Sequence, residues 1–338
     1  MKRKLLSLVE LTILALAFTQ MASAQTTWYV TTNGTGSGTS WADATNSIQD
    51  AIDASSAGDT VLVSNGVYNT GGVTNYPASR HLTNRVAISK AIIFRSANND
   101  PANTIIEGAW DPDTTNGPMS VRCVFIAAGA EMIGFTLRNG STLAKPSAVS
   151  YDDAGGGVLF ETTTTPITIS NCVFEGNAAG QNGGGGAPWG VISTNVTLYD
   201  CTFSNNIAST GGGIRGGILR HCTVVNNSSS GNGGGVYELS TAYYCTIANN
   251  SNSSGDGAGV IYGTLYNCIV SNNTAYQNGG GVSALTAFDC TIANNTGNTG
   301  GAGAGGGGAY NCTLSNCTVA GNYCFINGGG VCAGTAYN

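Results

Sequence analysis

One unit recurs through the second half of this chain and constrains what it can fold into. Cysteines fall at 201, 222, 245, 268 and 290, with Cys317 next, at intervals of 21, 23, 23, 22 and 27 residues. Their flanks repeat with them: Asp200-Cys-Thr-Phe-Ser-Asn-Asn206, His221-Cys-Thr-Val-Val-Asn-Asn227, Tyr244-Cys-Thr-Ile-Ala-Asn-Asn250, Asn267-Cys-Ile-Val-Ser-Asn-Asn273, Asp289-Cys-Thr-Ile-Ala-Asn-Asn295 and Asn316-Cys-Thr-Val-Ala-Gly-Asn322. After a variable Ser/Asn/Gly stretch comes a glycine triplet with an apolar residue: Gly211 to Ile214, Gly233 to Val236, Gly279 to Val282, Gly306 to Ala309 and Gly328 to Val331, with Gly257-Ala-Gly-Val260 one residue different. From the last glycine to the next cysteine of this series is 9 or 10 residues each time.

A period of two places each cysteine and the aliphatic residue two later on one face, with the intervening Thr on the other. The residue two before the cysteine (Tyr199, Tyr243, Tyr266, Phe288, Tyr337) is expected to share the buried parity, from which Arg220 and Ser315 depart. One short strand per unit cannot bury its apolar face alone, but like coils stacked at about 4.8 Å bury a continuous core. The fold class is therefore all-β, a parallel β-helix or solenoid. Glycine triplets and Asn-Asn pairs tolerate the positive φ of its turns, and like Asn residues on successive coils can form a hydrogen-bonded ladder. Glycine triplets at this spacing exclude a helical repeat.

Earlier in the chain the pattern is weaker. Asp59 to Val63, Ala91 to Phe94, Thr104 to Ile106, Val121 to Ile126 and Ile133 to Leu137 read as short strands. One stretch, Ser47 to Ser55, reads as a helix with Ile48, Ala51 and Ile52 on one face, placed to cap the first coil. The expected organisation is a leader at 1–24, a cap and first coil at 25–68, irregular coils at 69–170 and regular coils at 171–338. The leader has a basic start (Lys2, Arg3, Lys4), an apolar stretch from Leu5 to Phe18 and Ala22-Ser23-Ala24 before Gln25, the pattern of a cleaved export signal. The mature chain holds no apolar run of membrane-spanning length. Ending inside a coil, the sequence reads as a fragment.

Composition excludes partners more than it names them. The chain has 51 Gly, 11 Cys, 7 Pro and 9% charged residues, with 12 Lys+Arg against 18 Asp+Glu and net charge −6. Acidic balance without a basic run argues against nucleic acid, and glycine without a three-residue period excludes collagen. The inward cysteines are expected as buried free thiols, with Cys312, Cys324 and Cys332, off the main register, as the candidates for disulfides.

Trp28-Tyr-Val30, Trp41-Ala42, Ser47-Ile-Gln49, Ala51-Ile-Asp53, Gly58-Asp-Thr-Val61 and Gly66-Val-Tyr68 resemble the entry of secreted right-handed parallel β-helix proteins of the pectin-lyase-like superfamily. Gly134-Phe-Thr-Leu-Arg-Asn-Gly140 resembles one of their coils. The second half is similar in repeat style to chlamydial-type polymorphic outer-membrane proteins, through Phe174-Glu-Gly-Asn177 and Phe203-Ser-Asn-Asn206. The resemblance implies a right-handed β-helix exported to the outside of a bacterium or its outer-membrane surface, among relatives that include lyases, hydrolases, esterases and adhesins.

Chemistry is sparse. The two histidines, His81 and His221, are far apart, and no zinc, hydrolase-elbow or phosphate-loop pattern occurs. His221 repeats the outward slot of Asp200 and Asn267 and reads as a solvated face residue. Polysaccharide lyases need a base, often Lys or Arg, near a calcium held by several carboxylates, and hydrolases need paired carboxylates. The one adjacent acidic pair is Asp152-Asp153, with Arg138 and Lys145 as candidate cationic groups; Asp152, Asp153 and Glu161 are candidate calcium ligands if the chain is a lyase. Otherwise the acidic pair caps a turn before Gly155-Gly-Gly157, and no cofactor is expected. The leading expectation is a non-catalytic rod for surface adhesion or glycan binding. The alternative is a pectate-lyase-like lyase or hydrolase with a site near 138–161.

Overall fold

The computed structural model describes residues 25–127, 129–144, 151–161, 165–189, 195–300 and 305–337. The leader and Lys145 lie outside the described residues. The described strands pair only in parallel and stack as the coils of a β-helix. The coil that starts at Gly233 shows how sequence builds the unit. It turns at four residues in the left-handed region, Gly233 (φ 64°), Glu238 (51°), Tyr244 (55°) and Asn249 (55°). Between these corners lie the short strands Val236–Tyr237, Thr241–Tyr243 and Thr246–Ala248, followed by Ser251–Asn252. The first two belong to one large sheet that wraps two sides of the helix, joined where Val260–Tyr266 and Val282–Phe288 run through both. The third belongs to a ten-stranded sheet running from Gly66–Tyr68 to Thr318–Ala320, here called the second sheet.

The corner before each cysteine corrects the expected parity. Asp200, His221, Tyr244, Asn267, Asp289 and Asn316 all have φ between 52° and 55°. A left-handed residue interrupts the alternation, so the inward side chain lies three residues before the cysteine: Leu198, Leu219, Ala242, Leu265, Ala287 and Leu314 are buried. Tyr199, Arg220, Tyr243, Tyr266, Phe288, Ser315 and Tyr337 form one outward column in register. Arg220 lies 4.3 Å from the Tyr243 ring, and the rings of Tyr243, Tyr266 and Phe288 stack at 5.2 and 5.0 Å. Arg220 and Ser315 thus follow the rule that governs the column. His221 is exposed and stacks on Tyr244 at 5.3 Å.

The core is one continuous cluster from Val30 to Leu314. The capping helix, Ile48–Ala54, starts at Ser47, whose hydroxyl accepts from the Asp50 N–H, and buries Ile48, Ala51 and Ile52 against the first coils. The Ile133 to Leu137 stretch is divided between two sheets by Gly134 (φ 79°). Cysteines 172, 201, 222, 245, 268 and 290 are buried on the inner face as thiols, and Cys317 continues them. Cys312 does not form a disulfide. It takes the inward corner slot that Leu239 and Leu285 fill in earlier coils, and burial pushes its thiol up to about 11. Cys324 and Cys332 lie in two other columns, facing Gly297 and Tyr310, so the three sulfurs are not brought together.

The second Asn of each Asn-Asn pair points inward and is fully buried. Asn177, Asn206, Asn227, Asn250, Asn273, Asn295 and Asn322 form a continuous ladder. From Asn206 onward each Oδ1 accepts from both the backbone N–H and the Nδ2 of the preceding Asn, at 2.8 to 3.0 Å. Each Nδ2 also donates to a backbone carbonyl, as Asn250 does to Val224 at 2.9 Å. The last glycine of every triplet before Gly328 lies against this ladder: a Cβ on Gly235 would sit 2.9 Å from Asn250 Nδ2 and 2.8 Å from the Gly259 carbonyl. Replacing Asn250 by Ala orphans the buried groups on both neighbouring coils, for an expected loss of about 2 kcal/mol. Gly235→Ala is expected to destabilise as well, by overpacking. Urea unfolding checks both; midpoints equal to the unsubstituted protein would contradict the ladder's role.

Candidate functional site

The expected 138–161 cluster separates into two places. Asp152 and Asp153 form a single 3-10 turn, Tyr151–Asp153, and are 3% and 2% exposed. Beneath that turn lies Arg122, fully buried, which the sequence reading passed over. Its Nε donates to the Gly155 carbonyl (2.9 Å), one terminal nitrogen to Asn84 Oδ1 (2.8 Å) and the other to the carbonyls of Tyr151 and Ala154 (both 2.9 Å). Burial lowers the guanidinium to about 10, against the opposing charges of Asp152 and Asp153, so it stays a cation at neutral pH. Asp152 Oδ2 accepts from the His81 N–H at 3.0 Å, which ties the 72–83 excursion to this turn. The excursion and the turn cover an outward apolar cluster of Ala87, Phe125, Leu159 and Ala187, edged by Tyr76, Tyr151 and Trp189.

This buried cluster is a latch. A carboxyl group that protonates a glycosidic oxygen has to reach it, and these two are shielded from solvent. Calcium does not fit either: it takes six to eight oxygen ligands, whereas Arg122 already supplies the countercharge here. Among the described residues no group of three or more His, Cys, Asp and Glu is placed to hold a metal. Glu161, at the end of Val158–Glu161, pairs in register with Trp189 and is not part of such a group.

Arg138 is on the second sheet, in an open groove of about 330 Å³ lined by Glu107, Arg138, Asn139, Glu175, Gly176 and Asn205. Thr104–Glu107, Thr136–Arg138 and Val173–Glu175 are consecutive rungs, and the register sets Glu107, Arg138 and Glu175 in one outward row. The row alternates carboxylate, guanidinium, carboxylate, with neighbours about 4.8 Å apart at the backbone. Arg138 Nε pairs with Glu107 Oε1 at 3.0 Å, and Asn139 Nδ2 donates to the same oxygen at 3.0 Å. Burial opposes the Glu107 charge, but hydrogen bonds from Arg138, Asn139 and Asn69, with the Arg138 charge, outweigh it and hold the carboxyl below its ordinary range. Among the described residues Glu175 has no ion-pair partner.

The notch has a local cause. The corner column that ends these rungs reads Asn139, Gly176, Asn205, all left-handed (φ 54°, 61° and 56°). Glycine at the middle position leaves open the volume its neighbours fill with side chains. Trp110 borders this gap, 42% exposed, with its indole N–H donating to the Gly176 carbonyl at 3.1 Å. It is carried by the 108–120 excursion, which Asp111 organises by accepting from the N–H groups of Asp113, Thr114 and Met119. A second recess, of about 400 Å³, lies between the capping helix and the 70–73 loop, where Arg85 is spent on the carbonyls of Glu107 and Gly71.

Residues 134–297 match the family described as right handed beta helix region. Among solved structures, pectate lyase Pel9A is similar over 90% of this chain and 78% of its own, at 11% identity and TM-score 0.51. A rhamnogalacturonan lyase matches over 93% and 85%, at 12% identity and TM-score 0.49, and the A-module of Azotobacter vinelandii mannuronan C-5 epimerase AlgE4 over 91% and 96%, at 14% and 0.41. No curated protein sequence matches the chain. The fold is thus a right-handed parallel β-helix, the fold that pectate lyase Pel9A also has.

Arg122→Met removes the donors that satisfy the Asn84 side chain and the carbonyls of Tyr151, Ala154 and Gly155, an expected loss of about 3 kcal/mol, which thermal unfolding measures. Glu107 has its own signature. Its depressed folded value means that its pairing stabilises the fold above the ordinary value of 4.5 and ceases to do so as pH falls through the lower folded value. The stability difference between the unsubstituted protein and Glu107→Gln is therefore expected to be full at pH 6 and to shrink below about pH 4. A difference that grows on acidification would contradict the pairing.

Proposed function

We propose that this chain is an exported, extracellular β-helix rod that binds polysaccharide through the second-sheet groove, and that it holds glycan without cleaving it. The observation that carries this reading is the Glu107–Arg138–Glu175 row beside Trp110. An exposed indole offers an apolar face to the C–H side of a sugar ring, while carboxylate oxygens, asparagine amides and the remaining Arg138 N–H donors suit sugar hydroxyls. Such a mixture of one aromatic surface with a few placed polar groups is what fixes a ligand's orientation. The groove is open along the rod, as a polymer requires. The similarity of fold to a pectate lyase supports glycan as the ligand class. Non-catalytic binding is favoured because the one adjacent acidic pair is buried around Arg122 and the Arg138 Nε is taken by Glu107.

In the same reading the leader exports the chain. Among the described residues no helix is long and apolar enough to cross a membrane. Trp110→Ala and Arg138→Ala are each expected to weaken retention on the bound polysaccharide about tenfold, a loss on the scale of a hot-spot truncation. Affinity electrophoresis measures it. Retention unchanged in both variants would place binding elsewhere, and unsaturated or reducing-end products from the unsubstituted protein would make it an enzyme.

A further inference from the structure

The groove's charges point to its ligand class. Resting on the reading above, we infer that the groove takes an uncharged polysaccharide and discriminates against polyuronides. Glu107 and Arg138 neutralise each other through the 3.0 Å pair, and Asn139 adds a second partner to the same carboxylate oxygen. Glu175, on the next rung, is left as the uncompensated charge of the row, so the groove presents a net negative charge. The rest of the lining is Asn139, Gly176 and Asn205, which carry none, and Trp110 beside it is neutral. No lysine or second arginine lines the groove to receive a carboxylate.

A polyuronide carries one carboxylate per sugar. Threaded along this row, it sets like charges against Glu175, whose carboxylate is an acceptor only and cannot donate to another carboxylate. A neutral sugar meets the same group with hydroxyl donors. Like-charge juxtaposition is also a recognised means of refusing a wrong partner. The single ion pair cannot reverse this, because releasing Arg138 to a uronate would strip Glu107 of its cation and leave two carboxylates in the notch without a countercharge. The protein's overall charge of −6 adds to the repulsion at low salt.

The test is affinity electrophoresis of the full chain at low ionic strength, with EDTA and with calcium, in gels containing polygalacturonate, alginate, a β-glucan, a xylan or no polymer. The expected result is retardation by at least one neutral polymer, reduced in Trp110→Ala, with little or none by the polyuronides. Removing the unpaired charge in Glu175→Gln is expected to strengthen polyuronide binding about fivefold at low salt, the scale of one like-charge contact in water, and less at high salt. Two outcomes overturn the inference alone and leave glycan binding in place. One is polyuronide retarding the unsubstituted protein as strongly as any neutral polymer, and the other is Glu175→Gln leaving polyuronide binding unchanged. Retardation by none of the polymers overturns glycan binding and this inference together. Circular dichroism of each variant separates loss of the fold from loss of binding.

Discussion

The stacked asparagine amides hold successive coils in register. Burying an amide is unfavourable unless its donors and acceptor are met. In this ladder the Asn on one coil supplies what the Asn on the next one lacks, from Asn177 to Asn322. A coil slipped by one residue would turn the amide outward and leave both neighbours unsatisfied. The glycine triplets follow from this. In the triplets before Gly328 the first member makes a left-handed corner, the second passes close to carbonyls of the next coil, and the third lies where a side chain would strike the amide. Glycine content far above the usual share is thus a packing requirement of the ladder, not a mark of flexible linkers.

With the register fixed, the outer surface becomes a set of columns in which each side chain sits one coil above its counterpart. Function is then a matter of which residues share a column. Rows such as Tyr243, Tyr266 and Phe288 stack on themselves and offer edges rather than ring faces. The Glu107, Arg138 and Glu175 row differs because its members alternate in charge, because Gly176 opens a notch beside it, and because an excursion carries Trp110 to the rim. The irregular coils supply the chemistry and the regular coils supply the frame. Arg122 sits between these roles: with Asp152 and Asp153 it anchors the excursions that depart from the regular coil.

Much of this was legible in the sequence. The Cys, Asn-Asn and glycine-triplet spacings specify a stacked coil, and Ser47 with Ile48, Ala51 and Ile52 marks the capping helix. The parity of Tyr243 and its equivalents was misread because a left-handed residue before each cysteine shifts a simple period of two, and a non-glycine residue gives little sign of it. Half of the groove was also within reach. Aligning Leu137-Arg-Asn139 with Phe174-Glu-Gly176 sets Arg138 beside Glu175 and shows glycine replacing asparagine at the corner. Glu107 and Trp110 carried no such signal, since the chain between 107 and 136 leaves the repeat and only the folded register returns it. Asp152 and Asp153 stood out for being adjacent, a property that says nothing about burial around Arg122.

The account turns on where a sugar binds, and a crystal structure of the full chain soaked with an oligosaccharide of a retained polysaccharide tests that most directly. The account predicts a sugar ring against Trp110, with its hydroxyls within hydrogen-bonding distance of Glu175, Asn139 or Asn205. Sugar density at the Tyr243–Phe288 column, or anywhere else with the second-sheet groove empty, would contradict it.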